Sequence, residues 1–118
     1  MRDFRKYSIW DIATDFVTDI YRLTAQFPDE ERFGISSQMQ RAAISIPSNI
    51  AEGSSRKSES EFIHFLEIAL GSAFELETQL IIANRIKYIE DVKTIQLIDK
   101  LHSIQRGINH LISVIRKQ

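Results

Sequence analysis

Apolar residues recur at steps of three and four from Ile9 to Ile115, and only three short stretches, residues 28–34, 53–58 and 85–91, interrupt the rhythm. Side chains spaced this way share one face of a helix, whereas a half-buried strand would need alternation at every second residue. No alternating β-branched run and no hairpin dipeptide is present, and four Gly and two Pro leave few breaks. The expected fold class is therefore all-α.

Local signals place four helices at about 8–27, 35–53, 58–85 and 91–116, within a single domain spanning 1–118. Ser8 is a candidate N-cap for the first helix, which ends before Pro28. Gly53 is a natural C-cap for the second. Ser58 to Glu61 has capping-box spacing, with a serine hydroxyl meeting the free N–H three residues on. Asp91 is a candidate cap for the fourth. There Leu97, Leu101, Ile104, Ile108, Leu111 and Ile115 alternate steps of four and three, the seam of left-handed bundle packing. Short connections make neighbours antiparallel, so the expected architecture is an up-down-up-down four-helix bundle.

The third helix has more apolar surface than such a bundle uses. At about 100° per residue, Phe62, Leu66, Ala69, Ala73, Leu76 and Leu80 form one stripe. Ile63, Leu70, Phe74 and Ile81 form a second, roughly 100° away. Single exposed apolar residues are ordinary, but four in line mark a protein interface. They are the candidate oligomer contact.

The second helix raises a different question. Gln38, Arg41, Ser45, Asn49 and Glu52 fall on one face, and Pro47 interrupts the hydrogen-bond ladder beside them, freeing the Ala43 carbonyl. One reading is structural: Arg41 pairs with Glu52 or a neighbouring helix's acid, Asn49 bonds backbone, and the ladder sits inside the fold or at a subunit contact. The other makes Arg41, Asn49, Arg56 and Lys57 a phosphate or RNA patch. Arg56 and Lys57 precede the N-terminus of the third helix, where free N–H groups favour anions; "GSSRKS" is nonetheless not a P-loop. Asp11, Asp15 and Asp19 on the first helix read as a solvated face, or as a dock for Arg41, Arg85 or Lys93.

Other chemistries find little support. Glu61-x-x-His64 and Asp99-x-x-His102 have the spacing of di-iron bundles. Such sites need both pairs in the core and a Glu from each other helix, and the first helix has none. No cofactor, metal site or catalytic residue is assigned. The chain has no cysteine, which suits a reducing cytoplasm, and no signal peptide or membrane-length apolar run is evident. With 15 basic and 16 acidic residues, a generally basic nucleic-acid binder is not indicated.

"IYRLTAQFPDEERFGISSQMQRAAISIPSNIAEGSSR", followed by "FIHFLEIALGSAFELETQLIIA", closely resembles the bacterial four-helix-bundle family encoded in intervening sequences of 23S rRNA genes. Its superfamily includes accessory proteins of diversity-generating retroelements. The shared motifs are Phe27–Pro28, Glu31, Phe33–Gly34, Gln38, Arg41 to Ala43, Ser45–Ile46, Asn49 to Gly53 and Glu75 to Glu77. The likeness runs from about Phe4 to Ala83, with the fourth helix matching in pattern only. "NRIKYI" departs from it, since family members commonly have a Leu-Gly-Tyr turn there. The resemblance implies side-by-side bundles in a five-fold ring, with no enzymatic activity. The expected function is an oligomeric scaffold or adaptor whose main partner is itself, as a pentamer, with a protein partner also in view. The alternative is an RNA- or DNA-binding module whose basic surface repeats around the ring.

Overall fold

The computed structural model describes residues 2–118. Among them are four α-helices and no strand: α1 Ser8–Thr24, α2 Ile35–Ser54, α3 Glu59–Arg85 and α4 Asp91–Arg116, with 3₁₀ turns at Phe4–Lys6 and Asp29–Glu31. Each helix packs on its chain neighbours, and α1 also meets α4, so the four enclose one core. The molecule is elongated, with principal extents of 46 × 24 × 19 Å.

The apolar steps account for the core. Ile9, Ala13, Phe16, Ile20 and Leu23 of α1 are buried, as are Met39, Ala42, Ala43, Ile46 and Ile50 of α2. Phe62, Leu66, Ala69, Ala73, Leu76 and Leu80 of α3 line the same interior. Ile12, which has the right spacing, points outward and is 51% exposed. On α4 the seam differs from a strict heptad: Ile112 is buried while Leu111 only packs at the edge. A straight helix turns once in about 3.6 residues, so a 3.5-residue seam drifts off the core within a few turns.

The ends of the helices also depart from expectation. α1 stops at Thr24 rather than running to residue 27. Pro28 has no N–H for the Thr24 carbonyl and disfavours helical geometry at Phe27. That carbonyl instead accepts from the Phe27 N–H at 3.1 Å, and Phe27 stays buried. Tyr7, not Ser8, is the N-cap of α1, and Glu90, not Asp91, that of α4. Asp91 instead accepts a hydrogen bond from the Asn84 amide at 2.8 Å, tying α4 to the end of α3. Ser58 caps α3, its hydroxyl accepting from the Glu61 N–H at 3.1 Å.

Gly53 does not terminate α2 through a left-handed backbone. The helix continues to Ser54, and no glycine among the described residues has positive φ. Gly53 is instead a point of close approach between α2 and α3: a Cβ there would lie 2.7 Å from Phe65 Cβ and 3.3 Å from the Phe62 carbonyl.

The one described non-glycine residue with positive φ is Lys87, at 72°. It closes α3 in a Schellman turn, the Tyr88 N–H bonding the Ala83 carbonyl at 2.9 Å and the Lys87 N–H that of Asn84 at 3.0 Å. Lys87 thus holds the left-handed position that glycine ordinarily takes, which explains how "NRIKYI" departs from Leu-Gly-Tyr without losing the turn. Lys87→Gly is expected to raise unfolding free energy by ~0.5–1 kcal/mol, relieving the Cβ penalty. Denaturant titration would read this as a higher midpoint; an unchanged or lower one contradicts the account.

Candidate functional site

α2 runs unbroken through Pro47, which is itself buried. The polar ladder beside it divides into two parts. In the first, the Asn49 amide donates to the Ser45 carbonyl at 2.8 Å and to its hydroxyl at 2.9 Å, and Ser45 Oγ lies 2.8 Å from Ser72 Oγ on α3. This half-buried triad stitches α2 to α3. The amide therefore serves Ser45 and not the Ala43 carbonyl that Pro47 leaves without a helical donor. Gln38 and Arg41, by contrast, are exposed, and Arg41 forms no ion pair among the described residues. The expected Arg41–Glu52 pairing is not formed: the two stand about 16 Å apart along one continuous helix, and Glu52 faces Arg56 one turn on, at 2.9 Å.

The second part of the ladder opens onto the N-terminal segment. Arg56 is half-buried and its guanidinium stands 4.7 Å above the Phe65 ring. Its main-chain carbonyl accepts from Arg2, whose own guanidinium lies 4.8 Å over the Phe62 ring. Arg5 rests on Phe4 at 4.5 Å and meets Asp3 at 3.4 Å, while Phe4 packs edge-on against Trp10 with centroids 5.0 Å apart. Arg2, Asp3, Phe4, Arg5 and Arg56, with Lys6, Tyr7 and Lys57, line an open hollow of ≈ 1340 Å³ between the first turn and the α2–α3 connection. Arg56 Nε is shut off from solvent with no acceptor among the described residues. Sequence reasoning found Arg56 and Lys57 but not Arg2, Arg5 and Lys6. The density of bases in "MRDFRK" was the available signal.

The second stripe of α3 is not uniform. Ile63 and Leu70 pack against the core, whereas Phe74 is 54% exposed and Ile81 is also exposed. On the α4 side, Glu77 accepts from the Gln105 amide at 2.9 Å and meets His102 Nε2 at 3.1 Å. The Gln105 hydrogen bond, helped by His102, holds the Glu77 carboxyl below the usual carboxylate range against the opposing effect of burial. Glu61, His64, Asp99 and His110 are exposed, so the Glu-x-x-His spacing does not converge inside the bundle. No group of three or more His, Asp or Glu able to hold a metal ion occurs among the described residues. None of the helices there is long and apolar enough to cross a membrane.

The acidic face of α1 docks at one point. Asp19 meets Lys100 of α4 at 3.2 Å, rather than Arg41, Arg85 or Lys93, while Asp11 and Asp15 stay in solvent. At the far end of the molecule the Tyr88 hydroxyl donates to Glu31 at 2.8 Å, and its ring leans on Phe27 with centroids 5.3 Å apart. That bond raises the Tyr88 pKa, since the phenolate would face a carboxylate. Between them Glu31 and Tyr88 join the α1–α2 and α3–α4 connections. In the first of these, Phe33 is 90% exposed.

Residues 5–110 match a family model described as 23S rRNA-intervening sequence protein. Among solved structures, the chain is similar to a protein of unknown function from the S23 ribosomal protein family of Bacteroides thetaiotaomicron VPI-5482. That likeness has 28% sequence identity and a TM-score of 0.83, and covers 90% of this chain and 96% of that one. No curated protein matches the chain.

Proposed function

The chain belongs to the 23S rRNA-intervening sequence protein family, and from that membership we propose that it acts as a non-enzymatic, oligomeric scaffold or adaptor. Its unit is an up-down-up-down bundle, assembled side by side into a ring of five, as the family resemblance implies, in the cytoplasm. Contacts between helices support the antiparallel arrangement. Glu67 meets Arg116 and Glu77 meets His102, so partners descend α4 as they ascend α3. Gly53 lies against Phe62 and Ser45 against Ser72, and Ile9 approaches Gly107 while Asp19 meets Lys100, in the same opposed order.

The observation that carries the assembly is apolar side chains left in solvent on α3 and α4. Phe74, Ile81 and Ile82 are exposed on α3, and Val92 and Ile95 on α4, the last at 61%. Water contact with such side chains costs about 25 cal/mol per Å², and a second copy pressing its own apolar flank there would recover it. The Glu77–His102–Gln105 cluster on the same flank of α3 would fix register more than affinity.

Light scattering on a Phe74→Glu/Ile81→Glu variant tests this. Both residues are exposed, unlike Ile63 and Leu70, so the bundle should keep its helicity and cooperative melt. Each buried charge at a contact costs several kcal/mol, so the mass should fall to that of one 13.7 kDa chain. An assembly of undiminished mass, or a native protein already monomeric, overturns the reading.

A further inference from the structure

We infer that the hollow between the N-terminal turn and the α2–α3 connection is a binding site for the phosphates of a nucleic-acid strand. The chain as a whole is close to neutral, with 15 basic and 16 acidic residues. Five of those bases but only one of the acids, Asp3, line this hollow. They arrive from two segments about fifty positions apart, so folding gathers them. Like charges brought together repel unless an anion stands between them. Glu52 answers Arg56 and Asp3 answers Arg5, while Arg2, Lys6 and Lys57 have no carboxylate partner among the described residues.

Three of the five cations are guanidinium groups, whose flat forks fit phosphate oxygens in pairs. They are held ready: Arg2 over Phe62, Arg5 over Phe4 and Arg56 over Phe65. A side chain already fixed on a ring loses less freedom when it binds. The two lysines are exposed and project beside them, free to follow a flexible partner. An open hollow of ≈ 1340 Å³ is too wide to enclose one phosphate, and its cations are too many for one to satisfy. A strand presenting successive phosphates matches both its breadth and its charge.

The probe is a fluorescein-labelled single-stranded RNA of about 20 nucleotides, titrated with the full chain by fluorescence anisotropy. If the five cations engage three to five phosphates, affinity falls roughly 20- to 100-fold between about 50 and 200 mM salt. Lys6→Glu/Lys57→Glu, at exposed positions outside the core, should weaken binding at least about tenfold at the lower salt. It should also flatten the log–log salt slope by roughly one to two. Arg85→Glu/Lys93→Glu makes the same charge change at the other end of α3, and should leave affinity within about twofold. Three results overturn the proposal: Lys6→Glu/Lys57→Glu binding as wild type, the Arg85/Lys93 pair weakening it equally, or poly-glutamate of similar length binding as tightly as the RNA. The measurement reads the hollow of each chain and stands whether or not the chains assemble.

Discussion

Phe62→Ala should destabilise the protein more than any surface change, by ~3–5 kcal/mol, as removal of a fully buried aromatic ring does where the surroundings cannot collapse. Phe62 is 1% exposed and is where three parts of the chain meet. Its ring stands 5.9 Å from that of Tyr7, supports the Arg2 guanidinium on one face, and lies against Gly53 of α2. Alanine leaves a void under the N-terminal turn, whose few other anchors are Phe4 on Trp10 and the Arg2 bond to Arg56. For a chain of this length the loss corresponds to a melting temperature lower by roughly 12–20 °C. Denaturant unfolding with an unchanged m-value would confirm a pure stability loss. A cost below about 1 kcal/mol would mean the neighbours had closed the gap, and that the turn is anchored elsewhere.

Gly53→Val is the second large effect, expected at ~2–3 kcal/mol through overpacking. The atoms it would strike are Phe65 Cβ at 2.7 Å and the Phe62 carbonyl at 3.3 Å, neither of which is the free end of a flexible side chain. Relief requires α2 and α3 to move apart, opening the contact that Ser45, Asn49 and Ser72 fasten further along. Gly53→Ala adds one carbon and gains up to ~1 kcal/mol of helix propensity, so it should cost visibly less than valine. Thermal melts of the two variants would show that ordering. Equal midpoints for both and the wild type would return Gly53 to the role of a simple helix terminator.

That position also shows what could be read in the sequence and what could not. A period near 3.6 is a property of the chain itself, and it located the core faces of all four helices. Gly53 was visible as a breaker, but its function depends on Phe62 and Phe65 reaching it from another helix, which no local pattern encodes. The expected N-caps of α1 and α4, unlike Ser58 of α3, failed for a related reason. Ser8 and Asp91 have suitable side chains, yet the chain enters α1 and α4 one residue earlier, and Asp91 is recruited by Asn84. The partners of the polar ladder were not legible: Arg41 has no ion pair among the described residues, and Glu52 meets Arg56 at short range. In the second α3 stripe, Ile63 and Leu70 pack against the core, leaving Phe74 and Ile81 outside. The hollow was half legible. Arg56 and Lys57 stood out beside a helix start, but the other three cations lie on a stretch whose spacing says nothing about where it lands.

The 46 Å length against a width of 24 Å has a hydrodynamic consequence. A rod about twice as long as it is wide meets more friction than a sphere of equal mass, so a single chain should leave a sizing column early and diffuse slowly. Chains laid flank to flank would broaden the particle without lengthening it, so friction would rise more slowly than mass. Elution volume would therefore exaggerate the mass of the monomer more than that of a ring, compressing the very difference that distinguishes them. Scattered intensity is proportional to mass whatever the shape, and sedimentation velocity, which returns the frictional ratio, would tell a lone rod from a squat assembly by its decline toward unity.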